Sequence, residues 1–420
     1  MTRTPGRRAL YFVAATVLLD SVGFGLIMPV LPALLVQLTH LEVNRASVYG
    51  GWLSFVYASI QFVCAPVLGN LSDRYGRRPV LLFAIAALGL DYVVMGLAPT
   101  LGWLFLGRTI AGIAGASFTP AYAYIADVSP PERRAQSFGF VSACFGLGFI
   151  IGPALGGLLG GLGPRAPFFA AAGLSLANFA YGSLVLPESL PPEKRRAFDW
   201  KRANPLGTLL QIRAHRALLG PLAALFLWMI AHQAMPATWT FYTKYRFGWT
   251  EATIGLSLAL AGVLMASSQA VLLRVMVPRV GERRAALWGI AIAGMGYLGY
   301  ATATAGWMMF AWLPTWFFGA TVMPSTNGLL SRQAPRDAQG ELQGAVACLY
   351  SLASIAGPPL MTQLFARFTA PGAPFHLPGA PFLASALLVT VCFAVYSATV
   401  RQPGAPEPAE RPAGTAAPTA

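Results

Sequence analysis

The chain has 420 residues, of which 56% are hydrophobic and only 10% are charged. Its mean hydropathy of +0.58 excludes an ordinary soluble domain, in which about a quarter of the residues carry a charge. The net charge of +14 does not indicate nucleic-acid binding, because the Lys and Arg residues form short clusters between long apolar runs. This distribution is typical of a membrane protein whose main partner is the lipid bilayer.

Twelve apolar runs are each long enough to cross a bilayer as a helix of about 20 residues. The first run is too long for a signal peptide and has Asp20 at its middle. The predicted fold is therefore an all-α membrane protein with twelve transmembrane helices. The predicted helices, numbered 1 to 12 in chain order, cover residues 9–36, 49–68, 79–97, 101–125, 136–162, 166–186, 217–241, 252–277, 285–303, 307–330, 342–365 and 379–400.

The polar segments between these runs predict how the chain is oriented and divided. Basic clusters occupy the N-terminus and the even-numbered loops, which places both termini in the cytoplasm by the positive-inside rule. Residues 1–186 and 217–400 are predicted to form two six-helix halves joined by a cytoplasmic linker, residues 187–216. Residues 401–420 are rich in Pro, Ala and Glu and are predicted to form a disordered cytoplasmic tail. The four cysteines stand apart in apolar runs, without the spacing of a metal site.

The two halves repeat each other. When they are aligned with a shift of 205 positions, glycines and prolines coincide at loop ends and at helix kinks, where these residues fix the backbone geometry. The coincidence predicts two six-helix pseudo-repeats. The matched positions are Gly76 with Gly281, Pro130 with Pro335, Gly139 with Gly344, Gly152 with Gly357 and Pro153 with Pro358.

The most specific local motif is GNLSDRYGRRP at residues 69–79, between predicted helices 2 and 3. It is predicted to be a tight loop in which Gly76 permits the turn and Pro79 suits the first turn of the next helix. Asp73 stands among three arginines, an arrangement that favours charge-assisted hydrogen bonds. Taken alone, the arginines can also be read as a simple positive-inside anchor.

A second motif lies in predicted helix 5. Gly148, Gly152, Gly156 and Gly160 recur at every fourth position, and Pro153 follows Gly152. Glycines at this spacing line one face of a helix and let another backbone approach closely. The motif is therefore either generic close packing or part of a transport mechanism.

The duplicated halves and the two motifs resemble the major facilitator superfamily. Residues 69–79 resemble its signature loop, and residues 148–157 resemble the helix-5 motif of its antiporter branch. Residues 19–32, 61–69 and 124–127 are more closely similar to the proton-coupled tetracycline efflux proteins. The similarity runs through nearly all twelve predicted helices and weakens in the linker and the tail.

The resemblance implies drug/proton antiport in the bacterial inner membrane, with the proton as the coupling ion and no bound cofactor or metal. In the best-known members, tetracycline is carried together with a divalent cation. For the signature loop, the resemblance implies a gate at the cytoplasmic face. The gate residues that it implies are Gly69, Asp73, Arg74, Gly76, Arg77, Arg78, Asp127 and Arg134.

A few ionisable or polar side chains interrupt the predicted helices. Because a charge at mid-bilayer is costly, these groups are expected to face a central cavity and to contribute to transport. Asp91 is either a proton site or a structural carboxylate, and Asp20 is either a second proton site or a cap near a kink. Arg108 is either the partner of a proton site or a structural tie. His232 either handles protons or hydrogen-bonds in the cavity, and Gln269 is shared with the tetracycline proteins.

Two positions depart from the tetracycline efflux pattern. Ala293 stands where those proteins have an Asp in helix 9, and Met265 corresponds to a His of some members. The loss of a cavity carboxylate removes either a proton site or part of a site for a cation chelate. The identity of the cargo is therefore open at this point.

The predicted function is proton-coupled export of a drug-like, tetracycline-like molecule by a monomer. The first alternative is a major facilitator carrier of an endogenous metabolite, such as a sugar or an organic acid. The second is a membrane receptor or assembly factor without transport activity, which the duplicated halves disfavour. An enzyme is not expected, because no nucleophile, base and orienting group can be assembled from the sequence.

Overall fold

The computed structural model describes residues 5–115, 118–199, 215–335 and 338–400. Within these residues the regular structure is entirely helical, and eleven helices are long and apolar enough to cross a membrane. The prediction of an all-α, multi-pass membrane protein is confirmed. The helices are α1 (Pro5–Ile27, followed by Leu31–Thr39), α2 (Val43–Tyr75), α3 (Arg77–Leu97), α4 (Leu101–Gly115 and Phe118–Val128), α5 (Arg134–Gly160), α6 (Ala166–Val185), α7 (Arg216–His232 and Ala234–Phe247), α8 (Glu251–Val280), α9 (Glu282–Thr302), α10 (Gly306–Trp312, Thr315–Gly319 and Val322–Gln333), α11 (Gln339–Thr369) and α12 (Ala380–Thr399).

Two of the helices that were predicted to be continuous, α1 and α10, are interrupted beside a proline. α1 forms a turn at residues 28–30, where Pro29 has no amide hydrogen to continue the helical ladder. α10 is divided into three pieces, and Pro314 stands at the first division for the same reason. This division is why α10 is not among the eleven long spans. A hydropathy pattern alone cannot show such breaks, because the residues around them stay apolar.

The motif at residues 69–79 is not an extended loop. α2 continues to Tyr75 and α3 begins at Arg77, so Gly76 alone joins the two helices. Its φ of +106° lies in a region that L-residues with a side chain rarely adopt. The polar composition of the motif predicted a loop, but these polar residues extend the helix beyond its apolar span.

The same junction occurs in the second half. Gly281 joins α8 to α9 with φ +81° and ψ 157°, close to the φ +106° and ψ 159° of Gly76. The following arginines also match, because Arg78 donates to the carbonyl of Ser183 on α6 and Arg283 donates to that of Ser397 on α12. The shift of 205 positions thus relates equivalent places in space, which confirms the pseudo-repeat.

The halves meet mainly along two pairs of helices, α5 with α8 and α2 with α11. On α5, a Cβ atom at Gly157 would lie 3.1 Å from the Cα of Gly255 on α8, so this contact is between backbones. On α2, a Cβ atom at Gly51 would lie 3.1 Å from the carbonyl oxygen of Pro358 on α11. α9 and α12 have their principal packing partners within the second half and lie on its outer side.

The first part of the predicted linker packs against the first half. Residues 187–199, which we name the strap, run beside the junction of α2 and α3. The backbone amide of Arg196 donates to the carbonyl oxygen of Asp73 over 3.0 Å, and Asn70 donates to the carbonyl oxygen of Asp199 over 2.8 Å. Residues 200–214 of the linker and the predicted tail, residues 401–420, lie outside the described residues.

Candidate functional site

The first group of polar side chains lies between α3 and α4. Asp91 is fully buried, and its Oδ2 accepts a hydrogen bond of 2.7 Å from Nη2 of Arg108. The second carboxylate oxygen, Oδ1, has no hydrogen-bond partner among the described residues. A Cβ atom at Gly107 would lie 2.6 Å from this oxygen, so glycine leaves room for it. One oxygen thus holds the arginine while the other is free to take a proton.

Arg108 also faces another helix. Its guanidinium carbon lies 5.8 Å from the centre of the Tyr57 ring on α2, a distance that allows cation–π attraction. Nη2 also contacts the sulfur of Met95. The arginine is therefore held by α2 and α3 together, and a change in the charge of Asp91 alters the balance between these contacts.

Asp20 lies apart from this pair. It is half-buried in α1, and its Oδ1 is enclosed without a hydrogen-bond partner in the part of the chain that the structure describes. Tyr92 follows Asp91 in the sequence and lies against α1. A Cβ atom added at Gly23, three residues after Asp20, would lie 2.8 Å from the hydroxyl oxygen of Tyr92. The two carboxylates are thus in the same half, on helices that touch through Tyr92.

The second group lines a cavity of about 280 Å³ in the second half. His232 lines this cavity, with its ring centre 5.2 Å from that of Trp316 and 6.2 Å from that of Trp228. Gln269, in a π-helical turn of α8, lines the same cavity, as do Met265, Ala293 and Tyr350. Most of the described lining is aromatic or aliphatic, and none of it is Asp or Glu.

The candidate residues therefore form two groups rather than one. Asp91 and Arg108 are paired in the first half, with Asp20 on a nearby helix, whereas His232 and Gln269 share the cavity of the second half. The two positions that depart from the tetracycline efflux pattern, Ala293 and Met265, both line this cavity.

Two of the gate candidates, Asp73 and Asp127, form ion pairs with a third, Arg77. Its Nη1 lies 2.6 Å from Asp73 Oδ1 on α2, and its Nε lies 3.3 Å from Asp127 Oδ2 on α4. One arginine at the start of α3 thus binds carboxylates on both neighbouring helices. The side chain of Arg77 is only 11% exposed, so water screens these ion pairs less than it would on an open surface.

The other gate candidates have different surroundings. Arg74 stacks over the ring of Tyr75 at 5.1 Å, and a Cβ atom at Gly69 would lie 3.2 Å from Thr119 on α4. Arg134 is exposed and has no salt bridge with the residues that the structure describes, so it is not a partner of Asp127 in this conformation.

The glycines of α5 lie against the backbone of α1. A Cβ atom at Gly148 would lie 2.6 Å from the carbonyl oxygen of Leu18, and one at Gly152 would lie 2.7 Å from that of Val22. Gly156 is in the same kind of contact with Leu26. α5 is thus pressed between α1 on this face and α8 on the other.

The sequence matches the Major Facilitator Superfamily over residues 13–358 and again over residues 247–419. The chain belongs to the major facilitator superfamily. This major facilitator protein is 43% identical over 358 residues to the class C tetracycline resistance protein of Escherichia coli, covering 85% of this chain and 90% of that one. It is 42% identical to the class G protein of Vibrio anguillarum, covering 83% and 88%. The resemblance drawn from the motifs is confirmed.

Solved structures share the fold of this major facilitator protein. A bacterial homologue of the human lysosomal transporter Spinster, in an inward-facing, occupied conformation, superposes with a TM-score of 0.78 at 15% identity over 96% of this chain and all of that one. The human organic anion transporter MFSD10 superposes with a TM-score of 0.69 at 24% identity, covering 94% of this chain and all of that one. Both superpositions cover nearly the whole chain, so the fold is shared over its full length.

Two features of this major facilitator protein were missed at the level of sequence. Glu188 of the strap accepts hydrogen bonds from the backbone amides of Arg77 (2.9 Å) and Arg78 (3.3 Å) and so caps the N-terminus of α3. In the second half, Glu282 forms an ion pair of 2.8 Å with Arg332. The shift of 205 maps Arg77 to Glu282 and Asp127 to Arg332, so this pair is the counterpart of Arg77–Asp127 with its charges reversed. Applying the shift to charged positions would have predicted where these two residues lie, although not that they form an ion pair.

Proposed function

We propose that this chain is a proton-coupled antiporter that exports a drug-like, tetracycline-like molecule. The observation that carries the proposal is the buried Asp91–Arg108 pair, whose second carboxylate oxygen is free to take a proton. A buried ionisable group within a membrane span is costly to maintain, and transport provides a reason for its presence. Relatives named as tetracycline resistance proteins, 34–43% identical over most of this chain, support the drug-like class of the cargo.

Proton exchange at Asp91 follows from the contacts of the pair. In the charged state, the carboxylate holds Arg108 by a charge-assisted hydrogen bond. A proton bound at Oδ1 removes the negative charge and leaves the arginine to the Tyr57 ring and Met95. Release of the proton restores the pair. Each cycle therefore moves Arg108 between two sets of contacts. This movement takes place beside α2, the helix through which the first half contacts α11 of the second half.

The cargo is proposed to bind in the cavity of the second half. Its aromatic rings suit a planar polycyclic molecule by stacking, and His232 and Gln269 provide polar contacts. A divalent cation that accompanies the substrate belongs to the cargo rather than to the protein, because the described lining has no carboxylate to hold it.

We place the protein in the bacterial inner membrane as a monomer, with both termini in the cytoplasm. The basic junctions at Gly76 and Gly281 then face the cytoplasm, in agreement with the positive-inside rule. On this side, the ion pairs Arg77–Asp127 and Glu282–Arg332 hold the ends of neighbouring helices together. Both ion pairs have to rearrange when the cytoplasmic entrance opens.

The proposal is tested in proteoliposomes that contain the purified protein. A pH gradient is imposed, and the movement of tetracycline is measured together with proton flux. We expect tetracycline transport against its gradient, coupled to opposite movement of protons, and its loss when an ionophore collapses the pH gradient. Flux that is independent of the pH gradient, or that is seen with sugars or organic acids and not with tetracycline, would contradict the proposal and favour a metabolite carrier.

A further inference from the structure

The outer face of α9 carries a single exposed stripe. The exposed residues of this helix are spaced three or four positions apart, which places them on one side of it. All but the first and the last are apolar. They are Arg284, Trp288, Ala291, Met295, Leu298 and Thr302.

The middle of this stripe forms one wall of a groove. The groove lies between α9 and α12 and has a volume of about 490 Å³. Met295 and Leu298 of α9 face Leu387 and Phe393 of α12 across it, and small residues such as Gly294 leave its floor open. Because α9 and α12 lie on the outer side of the second half, the groove opens toward the hydrocarbon of the bilayer. It extends for about 12 Å along α9, given a rise of 1.5 Å per residue.

The end of the stripe nearest the Gly281 junction is chemically different. Arg284 is exposed and forms no hydrogen bond or ion pair with the residues that the structure describes. Its neighbour Arg283 points the other way and donates to the carbonyl oxygens of Val400 (2.7 Å) and Ser397 (2.8 Å), which ties α9 to α12 at this end. Trp288 lies one turn further along α9 and is 51% exposed. Tryptophan is enriched at membrane interfaces.

We propose that the groove between α9 and α12 binds an anionic phospholipid. One acyl chain lies along the apolar groove, and the headgroup phosphate pairs with the guanidinium of Arg284, which lies about 9 Å beyond the groove along α9 at a rise of 1.5 Å per residue. Trp288 covers the glycerol region between them. A lipid-facing groove lies beside a cation that has no partner among the described residues. This combination selects an anionic headgroup over a zwitterionic one, because the attraction depends on net charge.

Native mass spectrometry of the purified protein tests this site. Phosphatidylglycerol and phosphatidylcholine with identical acyl chains are titrated into the wild type, Arg284→Gln, Ala291→Trp and Arg246→Gln. Arg246 is an exposed arginine at the far end of α7 and serves as the matched control. Ala291→Trp fills the groove from an exposed position and so leaves the core intact. Thermal midpoints of all variants are compared to show that each is folded.

We expect the wild type to retain phosphatidylglycerol in preference to phosphatidylcholine. Arg284→Gln is expected to weaken phosphatidylglycerol binding about fivefold, the effect of one basic residue near a membrane surface, and to leave phosphatidylcholine unchanged. Ala291→Trp is expected to lower the binding of both lipids, and Arg246→Gln to behave as the wild type. Equal binding of the two lipids by the wild type, or an unaltered preference in Arg284→Gln, would overturn the proposal. A dimer that disappears in Ala291→Trp would assign the groove to a second copy of the chain and would also overturn it.

Discussion

Asp91 combines total burial with one occupied and one free carboxylate oxygen. A carboxylate that only fixed the fold would be expected to use both oxygens, because an unpaired buried oxygen costs about 1–3 kcal/mol. The free oxygen is therefore the feature that distinguishes a proton site from a structural tie. Asp20 on α1 also has an oxygen without a hydrogen-bond partner, but no arginine of the described residues pairs with it, so we propose it as the accessory site of the two.

Asp91→Asn tests the proton site. The amide oxygen can still accept the hydrogen bond from Arg108, but the side chain cannot take up and release a proton. We expect efflux driven by a pH gradient to be lost, and Asp20→Asn to weaken it strongly. Glu42→Gln, at an exposed carboxylate before α2, is the control and is expected to transport normally. Undiminished gradient-driven flux through the Asp20→Asn, Asp91→Asn double variant in proteoliposomes would refute this role.

At the scale of helices, Arg77 joins α2, α3 and α4 through Asp73 and Asp127. Asp73→Asn removes one of its two charged partners. We expect this variant to lose transport while its insertion and expression stay near normal, because the ion pair lies outside the apolar core. Arg134→Gln is the contrasting variant, since Arg134 is exposed and forms no ion pair with the described residues, and it should transport at near the wild-type rate. Drug uptake by inverted vesicles distinguishes the two, and wild-type transport by Asp73→Asn would exclude a gating role.

The contact of α5 with α1 is a second element-scale feature. In Gly152→Val, the added side chain meets the backbone of Val22 and Gly25, and overpacking of this kind costs about 1–3 kcal/mol. We expect a lower thermal midpoint in detergent and reduced transport. Gly139→Ala on the same helix is the control, because a Cβ atom there meets nothing within 4 Å. Equal midpoints for both variants would show that α5 can move away from α1 without cost.

At the scale of the whole molecule, the two halves carry the same ion pair with opposite polarity. Glu282→Arg places two arginines together and is expected to impair transport, as is Arg332→Glu, which places two glutamates together. The double variant Glu282→Arg, Arg332→Glu restores an attractive pair in the polarity of Arg77–Asp127 and should recover most of the activity. A double variant no better than either single variant would show that the pair does not act as a unit. Surface expression is measured alongside to separate folding from function.

The sequence predicts the architecture well, because apolar length, basic loops and repeated Gly and Pro positions are local signals. It also identifies Asp91 and Arg108, since a charge stands out within an apolar run. It could not show that Arg108 pairs with Asp91 while His232 faces a separate cavity, because both facts depend on how helices rotate and pack. The cap formed by Glu188 on α3 joins residues 111 positions apart through a polar linker, where no periodicity exists. The charge-reversed pair Glu282–Arg332 is partly predictable. The repeat predicts where the two residues lie but not that they form an ion pair.

The strap places the effective end of the first half at residue 199 rather than at residue 186. Glu188 caps α3, and Arg196 and Asp199 are bonded to the end of α2, so these residues complete the first half although they follow its last helix. When the gene is divided to express the halves as two separate polypeptides, a cut after residue 199 therefore leaves the first fragment with its own cap. A cut after residue 186 transfers that cap to the other fragment. The first design should reassemble more readily in the membrane than the second.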